Sequence, residues 1–154
     1  MSFDYYAEQD LLEDPQPIVL HQLRGPNGKH PVLMCVHAGA QNDGWINQSM
    51  LDADELDGLF GPALAGEKID EAAIARRQAE GELRTRRRLA AHVVRNIVDA
   101  VRDDGTPATS ADVEAFMLKI PRFVMTWLLN RVMNPATFQR APGPARPASE
   151  IAGK

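Results

Sequence analysis

Residues 90–138 read AAHVVRNIVDAVRDDGTPATSADVEAFMLKIPRFVMTWLLNRVMNPATF, and the punctuation of this stretch decides the fold. Apolar residues recur at three- and four-residue spacing in three consecutive segments. The first holds Leu89, Val93, Val94, Ile97 and Val101; the second Val113, Phe116, Met117 and Ile120; the third Phe123 or Val124, Trp127, Leu128 and Val132. Such spacing puts each set on one face of a helix. Asp103-Asp104-Gly105-Thr106-Pro107 stops the first helix, and Thr109 with Asp112 three residues on, or Ser110, caps the second. Pro121 disfavours helical geometry at Ile120 yet suits the first turn of a new helix, so two short C-terminal helices are predicted instead of one. Asn134-Pro135 ends the last helix, with Phe138 packing back. The predicted core centres on Val93, Val94, Ile97, Phe116, Ile120, Trp127 and Leu128.

Upstream, one long helix is predicted from near Asp70 to about Val101. Between Glu71 and Arg88 it is nearly all charge and alanine, with Glu80 to Arg84 and Glu82 to Arg86 in the favourable acid-first order. Each pair is worth about 0.2–0.5 kcal/mol, so this half can stay helical while solvated. Gly58, Gly61, Pro62 and Gly66 interrupt regular structure before it, and residues 51–69 are predicted to be a mobile connector. A short helix carrying Trp45, Ile46, Ser49 and Met50 precedes the connector, capped by Asn42 or Asp43. Nearer the N-terminus, PIVLHQLR (17–24) and HPVLMCVH (30–37) are β-branched-rich runs around Gly25-Pro26-Asn27-Gly28, the pattern of a β-hairpin. Pro31 has no amide hydrogen, so it belongs at the start or free edge of its strand.

The predicted class is therefore α+β, mainly α: an N-terminal β-hairpin, a short helix, a long helix and two short C-terminal helices. Residues 17–140 form one globular domain, preceded by a flexible acidic and aromatic arm (1–16) and followed by a disordered Pro/Ala/Gly-rich tail (141–154). A length of 154 residues suits one domain with a modest core. The single cysteine rules out an internal disulfide and suits a reducing compartment. The acidic start MSFDYYAEQDLLEDP lacks the charge and apolar run of a secretory signal, and no apolar run approaches the roughly 20 residues of a membrane span. A soluble cytosolic protein with no membrane association is expected.

No catalytic set is visible. Cys35 and His37 lie two apart on a strand, with His21 or His30 across the hairpin, but they lack the paired spacing of a metal site, and no base is oriented toward the thiol. A core thiol beside an edge imidazole is the expected reading, with no metal, no cofactor and no enzymatic activity. Arg76, Arg77, Arg84, Arg86, Arg87 and Arg88 form a basic cluster. Glu80 and Glu82 interrupt it and aromatic stacking partners are missing, which argues against nucleic-acid binding. Candidate partner-binding residues are Tyr5, Tyr6, Leu11 and Leu12 on the arm, Trp45 on the short helix, and Arg84, Arg87 and Arg88 on the long one.

The order of parts resembles the tail assembly chaperones of long-tailed bacteriophages over roughly residues 17–140. The likeness rests on the hairpin, His37-Ala-Gly-x-x-Asn42, a charged linker, and His92-Val-Val at the foot of an apolar helix. It continues through Asp104-Gly105, the Thr109 and Ser110 cap, Ile120-Pro121, and Asn134-Pro135-x-x-Phe138. The resemblance implies a non-enzymatic factor in the host cytoplasm that coats the tape-measure protein and recruits tail-tube protein without joining the finished virion. Self-association stays open. Alternatives are a virion structural protein, such as a head-tail connector or capsid-associated component, and a small basic-helix nucleic-acid-binding regulator.

Overall fold

Gly25-Pro26-Asn27-Gly28 reverses the chain as its composition dictates. Gly28 has φ 75°, a left-handed value that glycine adopts without a Cβ penalty, and its N–H donates to the Gly25 carbonyl at 2.9 Å. The computed structural model describes residues 11–64 and 70–139, and in it this turn joins β1 (Gln16–Val19) to β2 (Val32–Cys35) as an antiparallel pair. Ile18 stands opposite Leu33, and Val19 opposite Val32. Pro31 lies just before β2, where it lacks only a donor; its carbonyl accepts from Leu20 N–H at 2.9 Å.

The helices follow as α1 (Asp43–Leu64), α2 (Glu71–His92), α3 (Val113–Lys119) and α4 (Arg122–Met133), with β3 (Val94–Val98) between α2 and α3. The architecture is α+β and mainly α, with a three-stranded antiparallel sheet in the order β1-β2-β3.

Two expected boundaries are corrected. The long helix does not continue to Val101: it closes at His92, with Val93 N–H donating to the Leu89 carbonyl at 3.0 Å, and Val94–Val98 pairs with the free edge of β2. Residues 93–98, VVRNIV, are mostly β-branched, and their apolar positions can serve either a helical stripe or a buried strand. The unpaired groups of β2 settle the choice, since a strand beside them satisfies the backbone of both. His92-Val-Val therefore stands at a helix-to-strand junction, and the Asp103–Pro107 stretch closes a turn after a strand. In that turn Gly105 has φ 86° and the Asp104 carboxylate accepts from Thr106 N–H at 3.0 Å.

The second correction concerns the connector, whose residues 51–64 are helical and turn the expected short helix into one of 22 residues. Gly58 and Gly61 cost about 1 kcal/mol each relative to alanine, and Pro62 falls within the last turn, where its interference with the preceding carbonyls affects few bonds. Packing offsets this. Trp45, Asp52 and Leu56 are buried and line the stripe by which α1 meets α2. Residues 65–69 of the expected connector lie outside the described residues.

Other expectations are met in detail. Thr109 and Asp112 form the capping box, with Thr109 N–H donating to the Asp112 carboxylate at 2.8 Å. The chain breaks at Ile120-Pro121. Val124, not Phe123, faces inward, and Phe123 is 63% exposed. Of the predicted core, Val93, Val94, Ile97, Ile120 and Leu128 are buried, while Phe116 and Trp127 are half-buried at its margin. The row Ile18, Leu33, Ile97 faces the helices, so the core is a layer between one face of the sheet and α2, α3 and α4.

Part of the expected arm belongs to the domain. Leu11 bridges to Gln139 and Leu12 N–H donates to the Phe138 carbonyl at 2.8 Å, which ties the two ends of the described chain together. Residues 1–10 and the tail from 140 lie outside the described residues. Phe138, fully buried beneath this join, should be a keystone of the core. Phe138→Ala is expected to cost about 3–5 kcal/mol in urea unfolding, and Trp127→Ala less, because that ring is only partly covered.

Candidate functional site

Asn42 joins the loop after β2 to the ends of two helices. Its Nδ2 donates to the His37 carbonyl at 3.0 Å and to the His92 carbonyl at 2.8 Å, while its Oδ1 accepts from Trp45 N–H at 3.1 Å. One carboxamide thus caps the start of α1, closes the loop after β2 and satisfies a carbonyl at the end of α2. Beside it, His37 Nε2 lies 3.2 Å from the Met133 carbonyl, Ala38 N–H donates to the Val132 carbonyl at 2.8 Å, and the His37 ring packs tilted against Phe138 with centroids 5.5 Å apart. Two glycines make the close approach possible. A Cβ on Gly39 would collide with the His37 ring, and one on Gly44 would lie 2.5 Å from His92 Nδ1. Farther along, Asn134 accepts from Ala136 N–H at 3.0 Å and caps the short turn that leads to Phe138.

Cys35 and His37 do not form a reactive pair. Cys35 is fully buried, and desolvation pushes its thiol up to about 12, so it is protonated at neutral pH and serves as core. Among the described residues no group of three or more His, Cys, Asp and Glu side chains could hold a metal ion. His21 and His30 face each other edge-on at 5.7 Å, and His30 Nδ1 meets the Leu23 carbonyl at 2.7 Å.

Three arginines of the cluster, Arg84, Arg86 and Arg88, form two internal ties. On one side of α2, Arg88 donates to the buried Asp52 carboxylate at 2.7 Å and lays its guanidinium over the Trp45 ring, 4.5 Å from the centroid. Arg84 lies 3.6 Å from the same carboxylate and also pairs with Glu55 and Glu80. On the other side, Arg86 is 8% exposed and donates to the Met117 carbonyl at 2.8 Å and to the Ile120 carbonyl. These are orphan carbonyls at the end of α3, and a buried guanidinium is well suited to them. Glu82 completes this tie by accepting from Arg86 at 3.1 Å and from Arg122 at 2.9 Å. Hydrogen bonding from Arg122 first, and then from Arg86, holds the Glu82 carboxyl below its usual range.

Several expected partner-binding residues are therefore engaged internally. Trp45 is 4% exposed, and Arg84 and Arg88 are committed to α1. Arg87 is at the surface, 3.8 Å from Glu114. Leu11 and Leu12 are half-buried beside Glu13, Val36, His37 and Arg95. Tyr5 and Tyr6 lie outside the described residues. Sequence reasoning missed Asp52 and Arg86. A signal existed for both: Asp52 falls seven after Trp45 and four before Leu56, and Arg86 extends the Leu89–Val93 stripe by one turn, so each occupies an inward helical position.

An open concavity lies elsewhere, between the β1–β2 loop, the 100–108 turn and α3. This groove of about 650 Å³ has an apolar floor including Leu23, Pro31, Val101, Phe116 and Ile120, and its rim carries Arg24, Arg102, Asp103 and Lys119. It can take apolar side chains of a partner, and the mixed charges at its edge supply orientation.

No family model matches this chain, and neither a curated protein nor a solved structure shows significant similarity to it.

Gly39→Ala should destabilise by about 1–3 kcal/mol, read as a lower urea midpoint, because the added methyl must displace the His37 ring. A second expectation concerns acid. The folded-state pKa of Glu82 is depressed, so its contribution is present above the unfolded value near 4.3 and is lost as pH falls through the folded one. Glu82→Gln should therefore be less stable than wild type at pH 7, and the gap should narrow below about pH 4.

Proposed function

We propose that this chain is a non-enzymatic tail assembly chaperone of a long-tailed bacteriophage. In the host cytoplasm it keeps the tape-measure protein soluble and helps to recruit tail-tube subunits, without entering the mature virion. The observation that carries this reading is the convergence of its scattered motifs. His37, Gly39 and Asn42, then His92, then Phe138 are far apart in the chain, yet they meet in one node through the Asn42 carboxamide and the contact of the His37 and Phe138 rings. Residues that build a shared framework are what a family pattern made of packing positions should contain. They also explain why the pattern says little about chemistry.

The polar groups support binding over catalysis. The buried thiol is protonated, and Asp52, Arg84, Arg86 and Arg88 hold helices together. Five of the six arginines of α2 reach an acidic side chain within 4.0 Å, which leaves little free positive charge for a phosphate backbone and argues against the nucleic-acid reading. The groove beside α3 offers an apolar floor to the helical side chains of a tape-measure segment.

Co-expression of a tape-measure segment with the full chain is expected to keep that segment soluble and to co-purify it. Ala115→Arg, at an exposed position lining the groove, should reduce the captured fraction without loss of helicity by circular dichroism. A tape-measure segment that stays insoluble with or without the chain, together with detection of the chain in washed mature particles, would favour a virion structural protein instead.

A further inference from the structure

The two helices leave an outer surface: α1 makes its main contact with α2, while α2 also packs on α3 and β3. The hairpin they form has two unlike flanks. One is a polar groove lined by Gln48, Glu55, Glu80, Arg84 and Arg87. On the other, positions 46, 50, 53, 57 and 60 of α1 and 74, 78, 81 and 85 of α2 alternate four and three apart, the spacing of a helix-bundle seam. Apart from Asp57, which pairs with Arg77, this flank carries no charge. Ile46 is 37% and Met50 64% exposed, with Phe60 and Ile74 half-buried beside them.

We propose that a second copy of this chain covers this flank, hairpin on hairpin, in an antiparallel four-helix arrangement with Ile46, Met50, Phe60, Ile74, Gln78 and Thr85 at its centre. Size favours this occupant. Each helix of 22 residues is about 33 Å long and two neighbours stand about 10 Å apart, so the flank offers roughly 600–700 Å². Two such faces reach about 1,200 Å², the lower end of stable interfaces. The outward row Val19, Val32, Val98 of the sheet belongs to a face of only about 200 Å², too small to hold a dimer.

Charge permits it as well. The acidic side chains Asp52, Glu55 and Asp57 of α1 are already paired with arginines of α2 in the same chain. The one charged seam position, Asp57, therefore has its counter-ion in Arg77, and two such faces can close without burying an unpaired ion.

Sedimentation equilibrium of the full-length protein, from low micromolar to sub-millimolar concentration, tests this. Wild type should sediment as a dimer. Met50→Glu and, independently, Gln78→Glu should each weaken the dimer by about tenfold or more while retaining the wild-type circular dichroism spectrum. Leu51→Glu, exposed on the groove flank, should leave it intact. A wild type that is monomeric throughout the range overturns the proposal. So does a dimer that survives both seam substitutions, or one that Leu51→Glu dissociates as readily as Met50→Glu.

Discussion

The Asn42 carboxamide is the constraint on which the arrangement of the layers depends. A side-chain amide can donate twice and accept twice, and here both donors go to backbone carbonyls separated by more than fifty positions while the oxygen caps a helix. The sheet, the acidic helix and the basic helix are oriented from one point. The contact of the His37 and Phe138 rings, and two glycines with no room for a methyl group, hold the backbone close around these bonds.

Around that point, buried charge is used as structural glue between helices. Arg86 reaches the carbonyls at the end of α3 that Pro121 prevents from being used by a continuing helix, and Glu82 neutralises it. Asp52 plays the reciprocal part, a carboxylate between α1 and α2 held by Arg88 and Gln48. Removing one member of such a set leaves its partner desolvated, so these contacts act less as stabilisers than as fixers of register. An αα-hairpin whose inner face is charged has one correct alignment, and misaligned pairings leave an ion without a counter-ion.

The same economy bears on function. Among the described residues, Asp52, Arg84, Arg86 and Arg88 are taken up by contacts between helices. Apolar area stays exposed in the groove beside α3, at Phe123 and Met133 on α4, and at Met50 on the flank of the hairpin. Surfaces of that kind recognise other folded or helical segments.

The sequence by itself determined the features whose causes are local. Gly28 and Gly105 provide the positive φ of their turns, Thr109 and Asp112 cap each other, Pro121 splits α3 from α4, and Asn42 caps α1, all within a few residues of the signal. The helical stripes of α3 and α4 were legible for the same reason. Of the candidate contact residues in the described chain, Arg87 is exposed, Leu11, Leu12, Arg84 and Arg88 are half-buried, and Trp45 is buried. Tertiary structure alone decided the rest. Val94–Val98 is a strand because β2 has an edge to be satisfied, a fact stored some sixty residues away. Residues 51–64 are helical, despite two glycines and a proline, because α2 covers Leu56 and neutralises Asp52. Trp45, Arg84 and Arg88 face inward because they meet each other across that hairpin, and the charge of a side chain does not reveal whether its counter-ion lies in solvent or on a neighbouring helix.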